Sequence, residues 1–557
     1  MARDTLIDFF HDFSRARGEF LVYDDGFRSR SYSYDETSRR ATHFAVRLHD
    51  LGLRQGDAVV FWSENRPEWI SAFWACVLRG IVVVPIDYRS SQDFLVRVSR
   101  IVSAKLILVG QEVSLPRESE DVPIWKLHEL EWPENEPRAL APIDINRDTT
   151  AEIIFTSGAT AEPKGVVITH GNVLANIVPV EKEVLKYRKW GTPFYPLRFL
   201  NLLPLSHMFG QAMATFVPPM LGGVVVFMRG YNPVDIVAQV KKRRISVVVS
   251  VPKILDVLRE HVLRVAPEAA TPSRARHWVR RWWHFRRIHR VFGLKFWAFV
   301  VGAAPLDTSL EAFWGELGFV VVQGYGLTET APIVSLNHPF GTKKGSVGKA
   351  MAGVDVKIAS DGEILVRGEN VTRGYFNAAD ETAKAFEDGW FHTGDIGELD
   401  ADGYLKITDR KKDLIVTAGG KNIAPQPIEN LVKSNKFVAN AVMLGDKRKF
   451  PIMLVVPNFE QLERWAAERR LAFTSRAQLI ALPDVQAKVE REVMGALREL
   501  AKFEMPKRVL LLEHDFTIES GELTPTLKVK RRVVEKRYKE LVDRAYSDDA
   551  IAAALEG

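Results

Sequence analysis

The segment TSGATAEPKG, residues 156–165, gathers hydroxyls, glycines and one cation into a short span. Thr156, Ser157 and Thr160 offer hydroxyl donors, Gly158 and Gly165 let backbone amides come close to a ligand, and Lys164 adds positive charge. The segment sits between the apolar run EIIF and VVITHGN, which reads as a loop after a strand. Such a loop suits the β- and γ-phosphates of ATP. A Walker loop requires Gly-Lys followed by Ser or Thr. Here Pro163 precedes Lys164 and Gly165 follows it, which argues against a P-loop nucleotidase. On its own the segment also fits a polar surface loop that binds nothing.

Further segments follow in order. LPLSHMFG (203–210) carries His207 in an apolar stretch, where a satisfied core histidine is the plainer reading. VGAAPL (301–306) ends a strand with Gly302, Ala303 and Ala304, small enough to leave room for a flat group against the backbone. QGYGLTE (323–329) presents Gln323, Gly324, Tyr325, Gly326, Thr328 and Glu329. Taken alone, Tyr325 reads as a core aromatic and Glu329 as a solvated loop acid. WFHTGDIG (390–397) supplies Asp395, whose two carboxylate oxygens can both accept hydrogen bonds. TDRKKD holds Asp409 and Arg410, GGKNIAPQPIEN opens with Gly419 and Gly420, and LTPTLKVKR (523–531) contains Lys528. Taken alone, Lys528 reads as part of a basic surface strand.

The ordered set resembles the adenylate-forming superfamily of acyl-CoA synthetases, luciferases and peptide synthetase adenylation domains, over roughly residues 20–545. The 156–165 loop is similar to the superfamily's T-S-G-T-T-G-x-P-K-G, with Ala159 for Thr and Ala161 for Gly. Ala161 would cost roughly 1 kcal/mol if its position needed a left-handed backbone. The resemblance implies that His207 lies near the substrate carboxylate and that residues 302–304 border adenine and the acyl pocket. It further implies that Tyr325 stacks on adenine, Thr328 contacts phosphate and Glu329 holds Mg²⁺. Asp395 and Arg410 would contact the ribose, Asp409 would be the hinge, and Gly419 and Gly420 would belong to the loop beside the thiol channel. Lys528 maps to the catalytic lysine, preceded by Leu527 where glycine is usual. This last feature, with Lys421-Asn422-Ile423, resembles the long-chain fatty acyl-CoA synthetase branch.

What the resemblance implies is a two-step reaction. A carboxylate attacks the α-phosphorus of ATP and expels pyrophosphate; a thiol then takes the acyl group and AMP leaves. A fatty acid is the expected substrate, since each buried methylene contributes about 0.8 kcal/mol without polar contacts. An amino acid would need a buried carboxylate for its amine, and Asp235 and Asp256 stand in helix-like, charged surroundings. Coenzyme A is the expected acceptor. The alternatives are an acyl carrier protein as acceptor, or a non-catalytic nucleotide- and acyl-binding protein.

The elements needed to position these residues are legible as alternating signals. Tyr34, Ala41, Phe44, Ala45, Leu48 and Leu51 follow helical spacing up to Gly52. The runs AVVFWS, IVVVPI, KLILVG, GGVVVFM, ISVVVSV and FWAFVVG read as buried strands between helices, the mark of parallel sheets covered on both faces. GVDVKIASDGEILVRG and GELDADGYLKITDR read as hairpins turning at Asp361-Gly362 and Asp402-Gly403. The expected fold is α/β. A large N-terminal domain of parallel-rich sheets covered by helices, with a small β-barrel-like part, spans 1–409. A smaller, mobile α+β domain spans 410–557.

A length of 557 residues exceeds one hydrophobic core. The single cysteine, Cys76, lies in AFWACVLRG and reads as a buried structural thiol. The N-terminus lacks a signal-peptide layout and no apolar run reaches membrane-spanning length, so a cytoplasmic protein is expected. Net charge is a modest +6. Residues 274–295, however, hold seven arginines, one lysine and three tryptophans. An amphipathic helix at an anionic membrane, on the inner membrane face, and a helix packing its aromatics on the domain are both open readings. Nucleic-acid binding is not expected, since no recognition motif accompanies the charge.

Overall fold

A computed structural model describes residues 3–114, 122–133, 135–139, 141–156, 163–191, 195–271, 278–302, 304–418, 421–517, 519–524 and 529–555. The chain divides into two compact units, and it passes from one to the other within strands. The first comprises Met1–Lys357, Leu365–Thr393 and Leu399–Leu405; the second comprises Ile358–Ile364, Gly394–Glu398 and Lys406–Gly557.

In the first unit the apolar runs become the centres of two sheets. One runs, edge to edge, Lys349–Ala350, Ile333–Leu336, Val320–Gly326, Ala298–Val301, Val247–Ser250, Arg198–Asn201, Val224–Met228, Glu19–Asp24 and Ser29–Ser33. Pairing is parallel from Val320–Gly326 to Glu19–Asp24 and antiparallel beyond both. The other runs Ile124–Lys126, Leu106–Val109, Ala58–Trp62, Val82–Ile86, Thr150–Thr156 and Lys164–Thr169, parallel except for its last pair. Central strands such as Ala58–Trp62 and Leu106–Val109 are buried at every residue, as a sheet covered on both faces requires.

The helical spacing seen at Tyr34–Leu51 forms the helix Tyr34–Asp50, capped where the Ser33 hydroxyl accepts from the Glu36 amide at 3.0 Å. Pro67–Leu78 is buried along nearly its whole length, because it also packs Trp69, Phe73 and Trp74 into the core with Phe9, Phe13 and Phe216. Cys76 belongs to this helix; it is fully buried, and burial pushes its thiol far up.

The two expected hairpins appear as strands Val354–Ile358 and Glu363–Gly368, and Trp390–Leu399 and Leu405–Arg410, members of a five-stranded sheet. The second unit is α+β. Val438–Leu444, Ile452–Pro457 and Val509–Leu511 form a small sheet, against which helices Phe459–Glu468 and Pro483–Ala496 bury Leu462, Val485, Val489 and Val493.

The basic aromatic segment folds as two short helices, Trp278–His284 and Arg286–Phe292. Phe285, Ile288 and Phe292 are buried in the first unit's core, and a His289 ring nitrogen lies 2.8 Å from the Leu317 carbonyl. Trp283 is 64% exposed, with the Arg286 guanidinium 5.5 Å from its ring centre.

Candidate active site

The segment 156–165 joins two strands of one hairpin, with Phe155 opposite Gly165 and Thr156 opposite Lys164. Ser157, Gly158 and Thr160 lie outside the described residues. Lys164 forms an ion pair with Glu381, which also binds Lys384 at 2.9 Å. The two lysines, Lys164 first, hold the Glu381 carboxyl down at about 2. The Lys164 ammonium stands 5.8 Å from the centre of the Tyr375 ring, and the Tyr375 hydroxyl donates to Glu329 Oε1 at 2.9 Å.

Glu329 sits on a one-turn 3-10 helix, Thr328–Thr330, between the strands Val320–Gly326 and Ile333–Leu336. Three sequence-distant residues, one on a helix and two on a single loop, fix that turn. Asn176 donates to the carbonyls of Thr330 and Ile333, each at 3.0 Å, and accepts from the Ile333 amide at 2.9 Å. Asn370 donates to the same two carbonyls at 3.0 and 3.3 Å. The Thr372 amide donates to the Glu329 carbonyl at 2.8 Å. A β-carbon at Gly326 would lie 1.7 Å from the Pro332 carbonyl oxygen, so the chain can reverse here only with glycine. Gln323 is buried, and Gly324 and Tyr325, opposite Leu336 and Ser335, are half-buried.

His207 and Gly302 also come together through their neighbours. A β-carbon at Gly302 would meet the Phe209 ring at 2.7 Å, so the end of the strand Ala298–Val301 rests on the segment carrying His207. Asn201 anchors that segment by donating to the Gly210 carbonyl at 3.1 Å. His207 Nε2 lies 3.8 Å from Asp87 Oδ2. Burial raises the Asp87 carboxyl, but the bidentate Arg89, at 2.9 Å on each oxygen, outweighs it and leaves it below its ordinary value. Ala304 is half-buried, and Ala303 lies outside the described residues.

In the second unit Asp395 is buried and accepts from Arg410 Nε at 2.9 Å. Asp409 is buried as well. Its carboxylate accepts from the Arg410 amide at 2.6 Å and, at the start of the helix Pro425–Lys433, from the Gln426 amide at 2.9 Å. Burial pushes this carboxyl up to about 6 despite those bonds. Leu523 and Val529 pair as an isolated bridge on either side of the segment containing Lys528. Lys528, Gly419 and Gly420 themselves lie outside the described residues.

Sequence reasoning had singled out Lys164 and Glu329, and the first unit brings them together. It missed Tyr375, Glu381, Asn176 and Asn370, which hold them. Nothing in the residue types or spacing marks these four, because each acts on a partner distant in the chain or through a loop of no special composition.

Comparison with known proteins agrees with the geometry. The family model described as AMP-binding enzyme matches residues 10–376, and that of the AMP-binding enzyme C-terminal domain matches 412–550. The long-chain-fatty-acid–CoA ligase FadD15 of Mycobacterium tuberculosis is 31% identical, covering 92% of each chain. Long chain acyl-CoA synthetase 8 of Arabidopsis thaliana is 30% identical over 92% of this chain and 82% of its own. Among solved structures, O-succinylbenzoate coenzyme A synthetase of Bacillus subtilis in complex with AMP superposes with a TM-score of 0.72 at 24% identity, over 95% of this chain and 98% of that one. ATP-bound MatB of Rhodopseudomonas palustris gives 0.73 at 23%, over 96% and 99%. With its motifs in order and its fold shared, this chain belongs to the AMP-binding, adenylate-forming enzyme family.

Proposed function

We propose that this protein is an AMP-forming fatty acyl-CoA synthetase: ATP and a fatty acid give an acyl-adenylate and pyrophosphate, and coenzyme A then takes the acyl group, releasing AMP. The observation carrying this reading is the joined cluster of Lys164, Tyr375 and Glu329 beside the phosphate-loop hairpin. The relatives named as long-chain fatty acid ligases support the substrate class.

The donor set fits a magnesium ion. Glu329 is a hard-oxygen ligand with its carboxylate held in place, and no group of three or more metal-ligating side chains stands among the described residues. The remaining ligands would be phosphate oxygens and water, the usual magnesium arrangement. When bound, Mg²⁺ would neutralise the phosphate charge.

The protein's own work is positioning and electrostatic stabilisation. Lys164 and the loop before it hold the β- and γ-phosphates, so pyrophosphate leaves in line. Lys528 bridges the substrate carboxylate and the α-phosphate. Thr328 contacts phosphate, His207 borders the carboxylate, and the small residues 302–304 with Tyr325 receive adenine. Asp395 and Arg410 bind the ribose. Asp409 is the hinge about which residues 410–557 move, bringing the loop at Gly419 and Gly420 to the thiol channel.

CoA-dependent formation of AMP, measured across fatty acid chain lengths, tests the reading. Transfer to an acyl carrier protein without response to CoA would reassign the acceptor. ATP binding without pyrophosphate release would overturn the enzyme.

No helix among the described residues is long and apolar enough to cross a membrane. A peripheral contact with anionic lipid through the exposed Trp283 and the arginines around it belongs to the same proposal. Co-sedimentation with phosphatidylglycerol vesicles, lost in Trp283→Ala, is the expected result.

A further inference from the structure

We infer that the segment Gly374–Glu381 organises the phosphate cation and the metal carboxylate as one unit: Tyr375 aims Glu329, while Glu381 holds Lys164 and yields it to a bound polyphosphate. This rests on the reading of Glu329 as a metal ligand and of Lys164 as a phosphate ligand.

The segment is zipped to the strand that leaves the phosphate loop. The Phe376 amide donates to the Gly165 carbonyl at 2.7 Å, the Val167 amide donates to the Gly374 carbonyl at 3.2 Å, and Val166 and Tyr375 form an antiparallel bridge. Its far side is pinned by Thr382, whose hydroxyl accepts from the Tyr375 amide at 3.0 Å and donates to the Ala378 carbonyl at 2.9 Å. Tyr375 therefore has its backbone fixed on both sides.

Two consequences follow for the site. The phenol hydroxyl, 2.9 Å from Glu329 Oε1, sets the orientation of a carboxylate whose backbone is already fixed by Thr372. The negative face of the same ring lies toward Lys164, attracting the ammonium without neutralising it. Glu381 does neutralise it, but the pair is about one-third exposed on both sides, where ion pairs are screened and weak. A polyphosphate, carrying several charges, can displace a single carboxylate from such a pair. Glu381 thus holds Lys164 between turnovers and gives it up on binding.

Both halves are testable in the full-length protein without turnover. Mn²⁺ binding, followed by electron paramagnetic resonance with a non-hydrolysable ATP analogue, reports on Glu329; calorimetric binding of the metal-free analogue reports on Lys164. Tyr375→Phe is expected to weaken Mn²⁺ binding by about fivefold to tenfold, the loss of one charge-assisted hydrogen bond, with metal-free binding unchanged. Glu381→Gln, a near-isosteric substitution at a half-buried position, is expected to tighten metal-free binding by about threefold to fivefold, the release of a weak ion pair. A purely structural role would leave Mn²⁺ affinity unmoved in Tyr375→Phe, and that result overturns the first half. Unchanged or weaker nucleotide binding in Glu381→Gln overturns the second. Glu329→Gln separates the two levels: if it too leaves Mn²⁺ binding unchanged, the assignment of Glu329 fails, whereas weakened binding there beside an unaltered Tyr375→Phe sinks only the role of Tyr375.

Discussion

Glu152 is the most unusual side chain near the site. It lies on Thr150–Thr156, the strand that leads into the proposed phosphate loop, and it is completely buried. One carboxyl oxygen accepts from Gln211 Nε2 at 2.9 Å, while the other has no hydrogen-bond partner. Gln211 ends the helix Met208–Gln211 that begins after His207, and a turn of π-helix, Ala212–Phe216, follows. Such turns are frequent at functional sites. The contact thus ties the strand Thr150–Thr156 to the segment carrying His207. Burial pushes the Glu152 carboxyl up to about 8, so the folded protein keeps it protonated at neutral pH. Its pKa is higher folded than unfolded, so its contribution is fully present below the ordinary carboxylate range and is lost as pH rises toward about 8. Glu152→Gln keeps a neutral partner for Gln211 and cannot ionise. Its stability relative to the parent should rise across that window, by at most about 1.4 kcal/mol per pH unit. Urea midpoints at pH 5, 6.5 and 8 measure this; a difference independent of pH would mean that Glu152 is ionised in the fold.

The turn Thr328–Thr330 shows how much of the site depends on contacts across elements. Asn176 is on the helix His170–Gly191 and Asn370 is in a loop, yet both donate to the carbonyls of Thr330 and Ile333. Asn176→Ala strands the Ile333 amide, a buried donor, at a cost of roughly 1–3 kcal/mol. Each carbonyl keeps its bond from Asn370, so the double Asn176→Ala, Asn370→Ala variant should lose more than the two single losses added together. Denaturant melts of the four proteins check this, and simple additivity would show that the two amides act independently. The strands were legible in the sequence because a run such as VVVPI, buried on both faces, has a local signature of its own. Helices were legible from their spacing. The amide clamp was not, because an asparagine mid-helix looks the same whether it faces solvent or a carbonyl 154 residues away. The basic aromatic segment was ambiguous for the same reason: only tertiary packing sends Phe285 inward and leaves Trp283 outside.

At the scale of the whole molecule, the proposed chemistry divides between units, and so should the consequences of mutation. In the proposed reaction Lys528 would serve only the first half-reaction, as a cation between carboxylate and α-phosphate that stabilises the charge developing as pyrophosphate leaves. Lys528→Ala should therefore lower adenylate formation by about two to three orders of magnitude, the usual loss for such a contact, while supplied acyl-adenylate still reacts with CoA at near the parent rate. The hinge makes the opposite demand. Asp409→Pro fixes φ at the position proposed as the hinge, and on that proposal should slow thioester formation more than adenylation. Proline also removes the carboxylate that accepts from the Gln426 amide at the head of the helix Pro425–Lys433, so loss of that cap must be told apart from loss of motion. Asp409→Ala supplies the distinction, since it too loses the acceptor for the Gln426 amide while its backbone stays free. If Ala slows both half-reactions as much as Pro does, the position matters for the cap alone. If Pro slows thioester formation while Ala does not, Asp409 is where the chain bends. Single-turnover measurements of each half, on all three variants, decide between these; equal loss of both halves in Lys528→Ala would remove the lysine from the adenylation step.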